Sequence, residues 1–365
     1  MPSLAPLVFF GTPDLAIPTL AALVAAGRAP GLVVTQPPRP AGRGGQPLQP
    51  AVARWALEHG LPLAQPPRVR APEFLAELRP LRPAIAVVVA FGQIFPAELL
   101  ALPAHGCINL HASLLPRFRG ASPIQAALAA GADRTGVTIM RMDEGLDSGP
   151  MLLQEELPIA PRETAGELAV RLAALGARLM LTALDRLERG DLPALPQDAG
   201  QATYAARLTR EAGRVDWTLT ATQLDNRRRA FTPWPGLTAE LHGAPVKLLL
   251  SEPLPVAPSA PAPALGSLPA SLAGSPPLSA PESPLVFPPA PPEAASESPT
   301  AAAPPAPVPV AAPGTFLGLT PAGIAVACGG GTALAIAELQ RPGRKPQRAT
   351  DFVNGERLRG GERFA

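Results

Sequence analysis

Cysteine is nearly missing from this chain of 365 residues. Its two cysteines, Cys107 and Cys328, stand far apart and neither belongs to a CxxC pair, which argues against a disulfide framework or a zinc site. Histidine is almost as scarce, and four residues leave little material for a multi-histidine metal centre, so no metal is expected. Aromatic residues are 4% of the chain against 47% hydrophobic residues in all, so the sizeable core this content supports is mainly aliphatic. No apolar run reaches the roughly 18 residues of a membrane span. The N-terminus, MPSLAPLVFFGTPD, lacks a charged leader and reads as a first core strand rather than a signal peptide. The cytoplasm is the expected compartment, and nothing demands more than a monomer.

Charge of one sign is missing from residues 251–313, which hold four glutamates and no lysine or arginine. Proline fills 20 of those 63 positions. Such a segment cannot bury enough apolar surface to offset its ordering entropy, so a disordered, proline- and alanine-rich insertion in a surface loop is expected. Outside it, 31 basic and 25 acidic side chains give +6, which suits a polyanionic partner.

Before residue 190 the pattern is α/β. Residues 7–10 form a short apolar run, residues 15–26 have helical spacing, and residues 31–35 are apolar again. That is a βαβ unit, which implies a parallel sheet. Further helices are expected at 51–60 and 72–79, and AIAVVVA at 84–90 reads as a central strand buried on both faces. Strands follow at 106–111 and 136–142, then a leucine-striped helix at 164–188. Short apolar segments at 214–217, 237–241, 246–250, 314–319, 323–327 and 333–339 suggest a small β-barrel. The expected organisation is an open, mostly parallel Rossmann-like α/β domain at 1–190, a linker at 191–209, and a barrel at 210–358 interrupted by 251–313.

Asn109 and His111 lie two apart at the end of a strand and so face the same way. Carboxyl ends of parallel strands are where open α/β sheets bind ligands. The next strand runs into Asp143-Glu144-Gly145-Leu146-Asp147, and with its carboxyl end on the same rim Asp147 could reach His111. An imidazole can pass protons near neutrality, a carboxylate can orient it, and an amide can donate to a developing oxyanion. The set suits acyl transfer to an amine that the substrate itself brings. The competing reading is a strand end whose polar groups satisfy its own backbone. The long polar segment that leaves this strand is hard to explain as packing.

The runs GCINLHASLLPRFRGASPIQ (106–125) and GVTIMRMDEGLDSGPML (136–152) resemble the signature of the 10-formyltetrahydrofolate-dependent formyltransferases. FGTPD (10–14) and AFGQIFP (90–96) fit the same family. The resemblance implies that Asn109, His111 and Asp147 are the catalytic residues and that 10-formyltetrahydrofolate is the formyl donor. It further implies a folate pocket made by Ser113, Leu114, Leu115 and Pro116, by Phe91, Gly92, Gln93 and Ile94, and by Asp143, Glu144, Gly145 and Leu146.

TQPPRPAGRGG (35–45) is similar to an insertion loop of methionyl-tRNA formyltransferases, which implies methionyl initiator tRNA as partner, with Arg39 and Arg43 at its acceptor end. YAARL (204–208), RVDW (214–217) and RAFTPWPG (229–236) resemble the start of that family's C-terminal OB-type barrel. Arg207 stands where the family often has lysine. Arg228, within the run 227–229, and Arg344 and Lys345, within RPGRKP (341–346), are expected to supply charge for the phosphate backbone. A plain surface loop and solvated charged faces are the alternatives for these segments. Trp217 and Trp234 are expected in the core rather than under bases. Two other functions stay open: a relative that formylates a small amine, and an inactive RNA-binding relative.

Overall fold

The structure, a computed structural model, describes residues 4–41, 46–255 and 311–365. Strand β1 (Leu7–Gly11) leads through α1 (Ile17–Ala25) to β2 (Leu32–Val34). A small hairpin of β3 (Arg39–Ala41) and β4 (Gln46–Leu48) precedes α2 (Ala51–Glu58), β5 (Leu63–Ala64) and α3 (Pro72–Leu78). The chain then crosses to β6 (Ile85–Val89), α4 (Ala97–Ala101) and β7 (Cys107–His111). After a two-residue strand, β8 (Arg119–Gly120), come α5 (Pro123–Ala129), β9 (Arg134–Arg141), β10 (Met151–Pro158) and the long α6 (Ala165–Arg189).

Seven of these strands form one sheet in the order β10-β9-β7-β6-β1-β2-β5. The five from β7 to β5 are parallel, and β1 and β6 flank the point where the strand order reverses. Alternation along each strand sorts the core. Leu7, Phe9, Ile85, Val87, Ile108 and Leu110 face one cluster with α1 and α6. Val8, Phe10, Ala86, Val88 and Cys107 face the other, with α3 and α4. A strand covered on both faces must be apolar at every position, which is why β6 reads IAVVV without alternation. Helix α6 begins at a capping box in which Thr164 and Glu167 satisfy each other's main-chain N–H groups.

One expectation about direction is overturned. β9 pairs antiparallel with β7, Ile108 opposite Arg141 and His111 opposite Thr138. Its carboxyl end therefore lies away from that of β7, and Asp147 does not leave a shared rim. Parallel and antiparallel neighbours carry the same apolar run, so local pattern does not decide between them.

The later half begins with β11 (Tyr204–Ala205), which pairs with β8, and α7 (Ala221–Ala230). The second sheet holds β12 (Leu237–Leu241), β13 (Ala244–Pro253), β14 (Phe316–Thr320), β15 (Gly323–Ala327), β16 (Ala333–Gln340) and β17 (Gln347–Arg348), followed by α8 (Ala349–Glu356). It is antiparallel, in the order β12-β13-β16-β15-β14 with β17 on β16. The segment 361–365 bridges its two ends. Phe316 N donates to Glu362 O (2.7 Å) and Phe364 N to Gly314 O (2.8 Å) on the β14 side, and Ala365 exchanges two bonds with Glu240 of β12 (2.7 and 2.8 Å). Phe364 fills the interior beside Trp217, ring centroids 6.1 Å apart. Residues 214–217, expected as a strand, supply only a single bridge from Arg214 to Thr238, because Asp216 accepts from the Thr218 N–H and turns the chain. The expected insertion starts later than 251: Ser251, Glu252 and Pro253 pair with β16. Residues 256–310 lie outside the described residues.

Two side-chain expectations are corrected. Trp217 is buried, but Trp234 is 53% exposed, since the prolines on either side, Pro233 and Pro235, pack against Gly166 and Gly213. Arg228 is only 4% exposed, and its Nε donates to Asp225 Oδ1 (3.0 Å) and Ser251 Oγ (3.1 Å). Its charge is thereby committed to the barrel interior and withheld from any phosphate, and Arg229 is buried as well.

Breaking such a buried pair by removing one partner costs about 3–5 kcal/mol. Arg228→Ala is expected to lose stability on that scale in urea unfolding; an unchanged midpoint would mean the pair is not holding α7 to β13. Burial also pushes the thiols of Cys107 and Cys328 up to about 12. Unfolded thiols ionise at about 8.5, so above that pH the unfolded state binds fewer protons than the native one. The contribution is complete below that pH and lost as pH rises through the native value. The unfolding midpoint of the wild type should fall more steeply above about pH 9 than that of Cys107→Ala; parallel curves would assign the alkaline loss elsewhere.

Candidate active site

Asn109 and His111 share the face of β7 opposite α6, because the intervening Leu110 belongs to the α6 cluster. His111 is buried, and its Nε2 lies 2.9 Å from Phe118 O. A carbonyl oxygen can only accept, so Nε2 carries the proton and Nδ1 is the nitrogen free to gain one. Nδ1 faces Asp147 Oδ2 at 3.7 Å. Asn109 is largely buried as a residue, yet its amide has no side-chain hydrogen bond among the described residues and is not among the polar atoms sealed from solvent without a partner. The structure thus brings the three expected residues together, with one amide left unpaired.

Asp147 arrives by a route the sequence did not suggest. The loop after β9 doubles back at Gly149, where a Cβ would come within 1.9 Å of Arg141 O. Asp143 braces it by accepting from Gly145 N (3.1 Å) and Ser148 Oγ (3.0 Å). Asp147 itself sits in the left-handed region at φ 49°. Its Oδ2 accepts from Gly120 N at 2.8 Å. Gly120, at φ 114°, has no room for a side chain, since a Cβ would meet Ala205 O at 2.6 Å.

Residues 191–209, expected only to link, build part of this site. Phe118 N donates to Thr203 Oγ1 (2.8 Å), and Arg119 N donates to Thr203 O (2.8 Å). Gln197 Nε2 donates to Asp147 O (2.9 Å) and Gly149 O (2.7 Å), while its Oε1 accepts from Arg119 Nε (3.0 Å) and Nη2 (2.8 Å). No periodicity or composition marks Gln197 or Thr203 in the sequence.

The expected folate residues divide into support and surface. Ser113 is fully buried and donates to Arg117 O (2.7 Å); Leu115 is buried; Leu114 and Pro116 are partly so. Phe91 is buried edge-on to Phe10 and Phe95, and its carbonyl accepts from Thr12 Oγ1 (3.0 Å) and Gln36 Nε2 (2.7 Å). Gln93 Oε1 accepts from Val69 N (2.9 Å). Gly92, Asp143, Glu144 and Gly145 are exposed, and two aliphatic side chains stand out of these loops, Ile94 at 87% and Leu146 at 61% exposure.

Of the expected tRNA contacts, Arg207, Arg344 and Lys345 are exposed, Arg39 is bonded to Gln36, and Arg43 lies outside the described residues. A cleft of about 490 Å³ lies where β1 and β2 end, lined in part by Thr12, Asp14, Gln36, Arg39, Gln49 and Arg54. It adjoins the reversal of strand order but is not lined by Asn109, His111 or Asp147. Among the described residues no three His, Cys, Asp or Glu side chains are grouped to hold a metal ion, and no helix is long and apolar enough to cross a membrane.

Known proteins match this chain throughout. The formyl transferase family profile covers residues 7–184, and the profile of the formyl transferase C-terminal domain covers 207–274 and 289–357. The methionyl-tRNA formyltransferase of Burkholderia multivorans is 42% identical, over 98% of this chain and 97% of its own length. That of Geobacter metallireducens is 50% identical over 66% of this chain and 78% of its own. Among solved structures, HypX from Aquifex aeolicus with tetrahydrofolic acid covers 99% of this chain at 14% identity and a TM-score of 0.55, although the match spans only 49% of HypX. WlaRD, a sugar 3N-formyl transferase crystallised with dTDP and 5-N-formyl-THF, gives 0.52 at 18% identity, over 69% of this chain and 88% of its own. At these identities the two structures establish the shared fold alone. The agreement with the Burkholderia protein extends from end to end, and the chain belongs to the methionyl-tRNA formyltransferase family.

Proposed function

We propose that this formyltransferase takes its one-carbon unit from 10-formyltetrahydrofolate and delivers it to the α-amine of methionine on initiator tRNA, using Asn109, His111 and Asp147. The observation that carries the reading is the Asn109 amide, free of side-chain hydrogen bonds among the described residues and open to solvent, set on the same strand face as an imidazole whose Nδ1 faces a carboxylate. An amide free of other hydrogen bonds and still open to solvent can donate to a formyl oxygen without first giving up a protein partner. The residues present therefore fit the donor. The bound folate supplies the formyl carbon as an electrophile.

In the reaction, the amine nitrogen bonds to the formyl carbon, the bond from that carbon to N10 breaks, the amine loses a proton and N10 gains one. Asn109 donates to the oxygen on which negative charge develops, which favours the transition state over the ground state. His111 holds its Nε2 proton against Phe118 O, so Nδ1 is the atom that takes the amine proton and returns it towards the leaving nitrogen. Asp147 stabilises the imidazolium between these events. Ile94 and Leu146 offer apolar surface for the folate ring system. Arg39, Arg207, Arg344 and Lys345 act on the tRNA backbone.

The test is formylation of charged initiator tRNA with 10-formyltetrahydrofolate as donor. Removing one oxyanion donor costs about 10²–10³ in turnover. Asn109→Ala and His111→Ala are each expected to lose activity on that scale while binding methionyl-tRNA as the wild type does. Near-normal turnover in both would refute the assigned roles. Replacing Arg344 and Lys345 with alanine should weaken tRNA binding and reduce its salt slope by about 1 for each phosphate no longer neutralised; an unchanged slope would place the tRNA elsewhere.

A further inference from the structure

Resting on this reading, we propose that Gln197 is a positioning residue for formyl transfer, holding the Asp147 carboxylate in place opposite His111 Nδ1.

Gln197 uses both N–H bonds and both lone pairs of its carboxamide, on Asp147 O, Gly149 O and two nitrogens of Arg119. A guanidinium only donates and a carbonyl only accepts, so the amide has a single orientation that satisfies all four contacts. The contacts close a ring. Gln197 holds the main chain of Asp147, the Asp147 carboxylate accepts from Gly120 N, Gly120 follows Arg119 in the chain, and Arg119 returns to Gln197. Asp147 is thus gripped at its main chain and at its carboxylate by two arms of one brace. Both arms are needed, because Asp147 has a left-handed backbone that a non-glycine residue leaves readily once released.

The brace is itself anchored. Leu195 exchanges two main-chain bonds with Met151 at the start of β10, each 2.8 Å, which fixes Gln197 relative to the sheet. Arg119 is buried, has no ion-pair partner among the described residues, and relies on the neutral Gln197 amide. With Asp147 Oδ2 3.7 Å from His111 Nδ1, a small displacement decides whether the carboxylate supports the imidazolium. A misplacement of about 1 Å at a reacting group can cost around 10² in rate.

Two substitutions separate positioning from simple support of Arg119. Gln197→Glu keeps an acceptor for Arg119 but turns a carboxylate towards the two carbonyls; Gln197→Ala removes all four hydrogen bonds. Formylation kinetics should show kcat lowered about tenfold or more in both variants, with KM for donor and for methionyl-tRNA held within about twofold. In an Asp147→Ala background, Gln197→Glu should cost nothing more, since nothing remains to be positioned. Wild-type kcat in Gln197→Glu, a change confined to KM, or full multiplication of the two losses would each overturn the proposal. Should Gln197→Ala fail to fold, Gln197→Glu carries the test. The imidazole ¹⁵N resonances of His111 give a readout independent of turnover: they should shift in Gln197→Glu, and unshifted resonances overturn the proposal. Failure of the wild type to formylate methionyl-tRNA would instead sink the reading of the reaction.

Discussion

The hydrogen bond between His111 Nε2 and the Phe118 carbonyl sets the chemistry of the whole site. It consumes one face of the imidazole and leaves the other to Asp147 and to the substrate. It also makes the site depend on distant chain. Phe118 sits in a left-handed conformation, and its amide is held by Thr203, some 85 positions later. The active strand, the irregular segment that leaves it and the crossing to the barrel are therefore one construction. The same dependence extends through the apolar core. Ile124 and Leu128 of α5 share a continuous cluster with Leu224 and Ala230 of α7 and with Phe231 just after it, and that cluster runs on into the barrel. No apolar boundary separates the two sheets, so barrel and site are tied by packing as well as by hydrogen bonds.

How much of this was legible in the sequence follows from the range over which each signal acts. Strand β6 and helix α6 were plain because burial on two faces, or along one stripe, leaves a periodicity that no other element imitates. Asn109 and His111 were plain because a spacing of two is local. The direction of β9 was not, because direction depends on where a neighbour lies in space. The arginine run 227–229 announced charge but not orientation: on α7, two of its three side chains turn inward to Asp225, Ser251 and Glu163. Proline on both sides of Trp234 was the available warning that the indole would not be packed like that of Trp217. Gln197 had no such mark. Its importance lies in four hydrogen bonds to three residues, Arg119, Asp147 and Gly149, that only the folded chain brings together.

The resemblance named Asp147, and the fold brings it to His111 by a path other than the expected one. A motif records which groups meet and says nothing of the strand that delivers them. The tight return at Gly149 and the side-chain-free position at Gly120 are what allow a carboxylate from an antiparallel neighbour to reach the end of β7.

The anchoring of residues 254 and 314 has a consequence for how the chain tolerates change. Leu254 is bonded to Ala333 and Gly314 to Ala327, and Ala327 and Ala333 are themselves paired. The exit from β13 and the entry to β14 are thus three strand spacings apart, roughly 14 Å. Whatever length of polypeptide joins those two points, the sheet meets the same pair of fixed ends. Each doubling of a flexible connection adds only about 0.6 kcal/mol of closure entropy. Selection on that connection is therefore uncoupled from selection on the barrel, and its length can drift between related proteins while the surrounding strands keep their register.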